Sequence, residues 1–135
     1  MIIKGIPKAQ KRHRHTKRGV VYDPSSSDKK NYLSKLSSHK IPTYSGAISM
    51  IVKFVMPYPK KYYRTGKYSE ELKPNSPIHH TARPDVDNLI KFLFDVLQDA
   101  GWIKDDSTIS GVFAKKEYGK TAYTEFEIYE IGDND

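Results

Sequence analysis

Residues 85–101, DVDNLIKFLFDVLQDAG, constrain the fold of this chain more than any other stretch. Taking 100° per residue from Asp87, Leu89, Phe92, Leu93, Val96, Leu97 and Ala100 fall between roughly 140° and 280°. Val86 and Ile90 extend that apolar face. Asp87, Lys91, Asp95 and Gln98 gather between roughly 0° and 80°. The spacing predicts a helix of about four turns with one face in a core. Pro84 biases Arg83 away from helical geometry, and Gly101 supplies the stop. Phe94 falls among the polar residues, so it is expected to pack on a partner subunit or an adjacent strand.

Elements on either side follow from simpler patterns. Ile2, Ile3 and Ile6 open the chain as a short strand that Pro7 ends. Gly19-Val20-Val21-Tyr22 reads as a second strand, pairing back as a hairpin. Asp23-Pro24-Ser25-Ser26-Ser27-Asp28 is rich in cap residues, and Tyr32, Leu33 and Leu36 lie at helical spacing over 28–39. AISMIVKFVMPYP, residues 47–59, is β-branched and aromatic, the pattern of a central strand. Residues 57–84 form a long loop rich in Pro, Tyr and basic residues. STISGVFAKKEYG (107–119) and TAYTEFEIYEI (121–131) read as a β-hairpin. The order β-β-α-β-loop-α-β-β predicts an α+β fold over 1–135: one domain, a small, mostly antiparallel sheet and two helices.

Charge is unevenly placed along a chain whose net is +7. Residues 1–40 hold 11 Lys or Arg against Asp23 and Asp28, a net of +9, whereas 41–135 hold 12 basic and 14 acidic residues, a net of −2. The basic part suits a polyanion such as nucleic acid or a membrane surface. The acidic part suits the holding of cations. Without cysteine there is no disulfide framework, thiolate zinc site or thiol nucleophile. MIIKGIPKAQKRHRH lacks the apolar run of a signal peptide or membrane helix, so a cytoplasmic, soluble protein is expected.

Asp85 and Asp87 stand where the long helix begins, and Asp105-Asp106 follows it at the start of a strand. Helix capping alone accounts for the first pair. It does not account for Asp106, or for Lys91 one turn beyond Asp87 on the polar face. Carboxylates from a helix start and a strand start can converge on one Mg²⁺, which takes a few carboxylate oxygens and keeps open water positions. Such an ion suits phosphodiester hydrolysis, and a nearby lysine adds positive charge for the transition state. Asp95 lies further along the polar face, two turns beyond Asp87. His79 and His80 are poor Mg²⁺ ligands. One is expected to contact a phosphate or carboxylate and the other to be exposed.

Three stretches carry a resemblance: GIPKAQKRHRHTKRGVVYDP, IHHTARPDVDNLIKFLFDVLQDAGWIKDD, and KKEYG with the alternating strand after it. Together they resemble the RusA-like Holliday-junction resolvases, including the phage-type branch. The most specific part is the D-x-D-N-L-x-K run followed, after a Gly-aromatic turn, by the aspartate pair. The resemblance implies that Asp85, Asp87 and Asp106 bind metal and that Lys91 is needed for cleavage. It also implies a homodimer cutting four-way DNA junctions by paired nicks with Mg²⁺, Mn²⁺ being a possible substitute. Thr108 departs from the Gln that phage members often carry there. A non-catalytic nucleic-acid-binding protein is the alternative, sharing the basic arm but having no use for Asp106. An RNA- or flap-directed nuclease on the same scaffold is a third.

Lys8, Lys11, Arg12, Arg14, Lys17 and Arg18 are expected to contact phosphates, against the plainer alternative of a solvated arm. Lys60, Lys61 and Arg64 stand among Tyr62, Tyr63 and Tyr68, a mixture that can stack on unpaired bases or simply cover the core. Arg83 completes the expected DNA-binding set.

Overall fold

A computed structural model describes residues 1–11, 14–15, 19, 21–22, 25–39, 41–42 and 44–132, with backbone alone at 14–15 and 21–22. Strand β1 (Ile2–Lys4) is followed by two-residue strands β2 (Arg14–His15) and β3 (Val21–Tyr22), helix α1 (Ser26–Ser37) and strand β4 (Ile48–Pro57). Helix α2 (Val86–Asp99) and strands β5 (Ile109–Gly119) and β6 (Tyr123–Glu130) complete the order. The expected α+β architecture is present, with two helices on a mostly antiparallel four-stranded sheet. Arg14 pairs with Tyr22 and His15 with Val21, so β3 does turn back as a hairpin, its partner lying within the basic run.

Period-two alternation makes β4 the middle of the core. Ile48, Met50, Val52, Phe54 and Met56 are all buried. The predicted stripe of α2 meets that layer with Leu89, Phe92, Leu93, Val96 and Leu97, each essentially inaccessible. Burying side chains of this size contributes about 1.5–3 kcal/mol apiece. α1 adds Tyr32 and Leu36, and the Tyr32 ring meets Phe92 edge-on at 5.1 Å. Phe94 is half-buried against this core and lies beside the start of β5.

α2 ends in a closed motif. Gly101, at φ +77, donates to Gln98 O at 3.0 Å, and Trp102 donates to Leu97 O at 2.9 Å. This crossed pair satisfies two of the terminal carbonyls, and the buried Trp102 seals the turn. The stop expected at Gly101 thus also sets the direction in which Asp105 and Asp106 leave the helix.

Strand neighbours differ from the expected hairpin. The sheet order is β1-β6-β4-β5, so β4 lies between β5 and β6, parallel to the first and antiparallel to the second. The physical reason is that β4 is the most apolar strand and gains from a partner on both edges. Residues 120–122 cross its end, spanning two strand spacings of about 4.8 Å each. Alternation identifies strands but carries no information on which ones are adjacent. The crossing is tight: a Cβ on Gly119 would lie 2.5 Å from Val55 Cγ1. No described helix is long and apolar enough to cross a membrane.

Gly119→Ala should therefore destabilise the protein by about 1–3 kcal/mol through overpacking. Urea unfolding checks this, and the penalty should largely vanish in a Val55→Ala background. Equal penalties in both backgrounds would show that the crossing is not the tight contact.

Candidate active site

Lys116 on β5 builds the start of α2. Its ammonium donates to Ala82 O and Pro84 O, both at 2.8 Å, holding the pre-helix turn on the strand. Asp85 follows at the N-cap position with extended geometry (φ −72, ψ 147), and its carbonyl accepts from Leu89 N at 3.2 Å. Its carboxylate makes no capping hydrogen bond, although that is the ordinary task of an aspartate there. Asp85 and Asp87 are both exposed. Among the described residues neither is drawn into an ion pair, nor is Lys91 one turn away. Arg83, Pro84, Asp85 and Asn88 line an open hollow of about 590 Å³.

The basic arm reaches this hollow. Gln10 donates its backbone N–H to Asn88 O at 3.0 Å, and Lys11 donates its own to the buried Ser25 Oγ at 2.9 Å. Lys8 and Lys11 are thereby held beside the first turns of α2. Arg12, Lys17, Arg18 and the Arg14 side chain lie outside the described residues.

Asp106 sits at the other end of α2. Asp105 caps the turn Asp106–Thr108 by accepting from Ser107 N at 2.9 Å, and Thr108 Oγ1 donates to Asp105 O at 2.7 Å. Thr108 therefore has a defined local partner at the position that departs from the phage-type pattern. Asp106 N donates to Gln98 Oε1 at 3.3 Å. The Ser107 N–H holds Asp105 below the usual carboxylate range, helped by its bond to Asp106. Asp106 is pushed up by that shared bond, then by desolvation and by the negative charges of Asp105 and Asp95.

One chain does not bring the three aspartates together. The rise from Asp87 to Gln98 is about 16 Å of helix. Among the described residues no three His, Asp or Glu side chains lie close enough to share a metal ion. The single chain presents Asp85 and Asp87 as one pair and Asp106 apart from them. Asp95, expected to stand clear of the site, faces Lys29 at 3.6 Å and contributes to the field at Asp106.

The long loop is a folded flap. Arg64 N donates to Glu71 O and Lys73 N to Tyr62 O, each at 2.8 Å. Tyr58 stacks on Tyr118 at 4.9 Å, and Tyr62 and Tyr63 pack edge-on against Tyr58. These rings mainly cover the core edge, leaving Tyr68 as the more exposed aromatic, beneath the Arg64 guanidinium at 4.3 Å. Arg64 is also paired with Glu71 at 2.8 Å. Lys60, Lys61 and Arg83 are exposed.

His79 is exposed, and His80 is only 7% accessible and packs on the Tyr118 ring at 4.8 Å, with no carboxylate partner among the described residues. Burial first, then the Lys116 charge, hold its pKa below the ordinary histidine value. The apolar neighbours that enclose it come from a distant strand, so local sequence gave no warning. Lys116 and Gln98 were likewise not singled out from sequence. Their roles depend on which elements meet in space.

Comparison with known proteins agrees with this picture. The family model described as endodeoxyribonuclease RusA matches residues 3–129. The chain is also 33% identical over 133 residues to the uncharacterized protein YqaN of Bacillus subtilis (strain 168), covering 94% of this chain and 92% of that protein. The chain belongs to the RusA endodeoxyribonuclease family. Membership implies Holliday-junction resolvase nuclease activity and binding to branched DNA.

Two measurements follow from the local geometry. Asp85→Ala should cost no more than the few tenths of a kcal/mol that a charge near a helix N-terminus contributes, short of the roughly 1 kcal/mol of a lost cap. Thermal unfolding of the variant decides between them. A histidine held neutral in the folded state gives stability that is complete above its unfolded pKa, about 6.5, and declines as pH falls below it. The stability difference between wild type and His80→Gln should therefore shrink from pH 7.5 to pH 5. A constant difference would show that His80 does not titrate on unfolding.

Proposed function

We propose that this protein resolves four-way DNA junctions by paired symmetric nicks, as a homodimer that uses Mg²⁺ or, in its place, Mn²⁺. The observation that carries the reading is Asp85: a carboxylate at a helix N-cap, uncapping and solvent-facing, beside Asp87 and a hollow flanked by basic residues. Family membership supports the substrate class.

The parts have distinct physical tasks. Lys8, Lys11 and Arg83 present positive charge at the hollow, where they attract and orient the DNA backbone without reading sequence. Lys91 stands on the same polar face as Asp87 and is free to meet the negative charge that develops on a phosphate under attack. Mg²⁺ is held by one or two carboxylates, with waters and phosphate oxygens completing its shell, and Asp85 and Asp87 would supply the carboxylates here. Asp106 of the same chain does not group with them among the described residues.

The test is nicking of a synthetic four-way junction, beside flap and duplex DNA, with Mg²⁺ or Mn²⁺. Asp85→Asn, Asp87→Asn and Asp106→Asn should each lower cleavage by orders of magnitude while junction binding persists or tightens, since negative charge near phosphate is removed. Lys91→Ala should also stop cleavage. Glu70→Gln, on the flap, should cut normally, and it is a cleaner control than Asp95, whose charge reaches Asp106. A wild-type protein that binds junctions and leaves them intact with either ion would make this chain a binding protein.

A further inference from the structure

The stretch from Ile78 to Pro84 runs along the outer edge of β5 and leads directly into α2. Tyr118 N donates to Ile78 O at 2.7 Å, and His80 N donates to Lys116 O at 3.2 Å. Beyond His80 the backbone pairing ends, and the Lys116 side chain takes over with its bonds to Ala82 O and Pro84 O. Among the described residues no other hydrogen bond reaches residues 81–84. One residue thus fastens three alternate positions, 80, 82 and 84, and the last of these precedes Asp85. Lys116 is itself firmly seated, in register with Phe54 of β4 inside the core.

The helix does not need this cation for its own electrostatics. A positive charge beside a helix N-terminus opposes the helix dipole, which favours anions there. Nor is the ammonium an ion-pair partner, since it meets two carbonyl oxygens and no carboxylate among the described residues. What the arrangement achieves is geometric. Asp85 has no capping bond to fix its carboxylate, so the direction of that group depends on where the backbone at Pro84 is held. A lysine offers a long stem and three rotatable donors, and two of them here meet carbonyls at 2.8 Å.

We propose that Lys116 is a positioning residue for cleavage: by clamping Ala82 and Pro84 to β5, it sets where Asp85 presents its carboxylate to the metal ion. This rests on reading Asp85 as a metal ligand. Mg²⁺ demands near-octahedral directions, so a wandering Asp85 would be a weaker ligand even with Asp87 in place. Loss of such a supporting contact ordinarily costs about 10–100-fold in metal affinity or activity. The clamp also ties the flap to the site, because the same residue accepts from His80 near the flap's end. Lys115, next along β5, lies on the opposite face of the strand, pairs with Glu117 at 3.0 Å and has no part in the clamp.

The test compares Lys116→Met with Lys115→Met, which removes the same charge from the other face of the strand. Hydrogen exchange of the ion-free protein reads the clamp. The Leu89 amide, bonded to Asp85 O, should exchange about tenfold faster in Lys116→Met, while amides deeper in α2 keep their wild-type rates. Nicking of a four-way junction against Mg²⁺ concentration reads the consequence. Half-maximal nicking by Lys116→Met should need about tenfold more Mg²⁺, and high Mg²⁺ should restore the rate because every ligand is still present. Junction affinity should match wild type, and Lys115→Met should match it in all three measurements. Wild-type exchange at Leu89 in Lys116→Met overturns the clamp. Faster exchange with an unshifted Mg²⁺ requirement overturns the positioning role. A weaker junction complex with a salt slope shallower by about one, again with no Mg²⁺ shift, would make Lys116 a phosphate contact instead. If Lys116→Met does not fold, Lys116→Gln, which keeps an N–H donor on a shorter stem, is judged by the same outcomes. A wild type that nicks with neither Mg²⁺ nor Mn²⁺ refutes the proposed function, and exchange at Leu89 still decides the clamp.

Discussion

The burial of the α2 stripe on β4 governs the rest of the molecule. Leu89, Phe92, Leu93, Val96 and Leu97 share one buried cluster with Met50, Val52 and Phe54, each of them essentially inaccessible to water. Because β4 and β5 run parallel and adjacent, the chain must travel back along the sheet between them, and α2 is that return. The helix start and the start of the next strand then fall at opposite ends of the unit. This is why Asp85 and Asp106 cannot meet within one chain: the packing that makes the core also keeps them apart.

Much of the fold was legible in the sequence because its signals are local. The helix faces, the alternation of β4 and β6, the stop at Gly101 and the extended entry at Pro84 each depend on residues within a few positions of one another. What was not legible was adjacency. Residues 107–119 and 121–131 have the pattern of a hairpin, and nothing in either segment says that a third strand lies between them. The idea that two acid pairs converge depended on adjacency too, and it holds only if the ends of α2 and β5 coincide. The positions of Asp85, Asp87, Lys91 and Asp106 were readable, but their mutual distances were not.

Acid and base are distributed by the same geometry. The start of α2 combines two uncapped carboxylates with Lys8, Lys11 and Lys91, so a phosphate and a cation both find complementary charge there. The other end gathers Asp95, Asp105 and Asp106, where the hydrogen bond shared with Asp105, then desolvation and the neighbouring negative charges, raise the proton affinity of Asp106. Lys29 opposes part of that excess from α1. The flap meanwhile commits Tyr58, Tyr62 and Tyr63 to one another and to Tyr118. Lys60 and Lys61 on the flap stay exposed to solvent.

The short crossing at residues 120–122 removes slack from the whole assembly. With no spare chain between them, β5 and β6 cannot slide past β4 independently, since a two-residue slip of one must be matched by the other. Gly119 against Val55 acts as the stop on this slide. β5 is thus graduated like a ruler clamped at its far end, with Lys116 and Asp106 as two fixed marks. An insertion or deletion in β5 would shift the Asp106 end by a whole strand step, whereas one in the flap would leave it where it is.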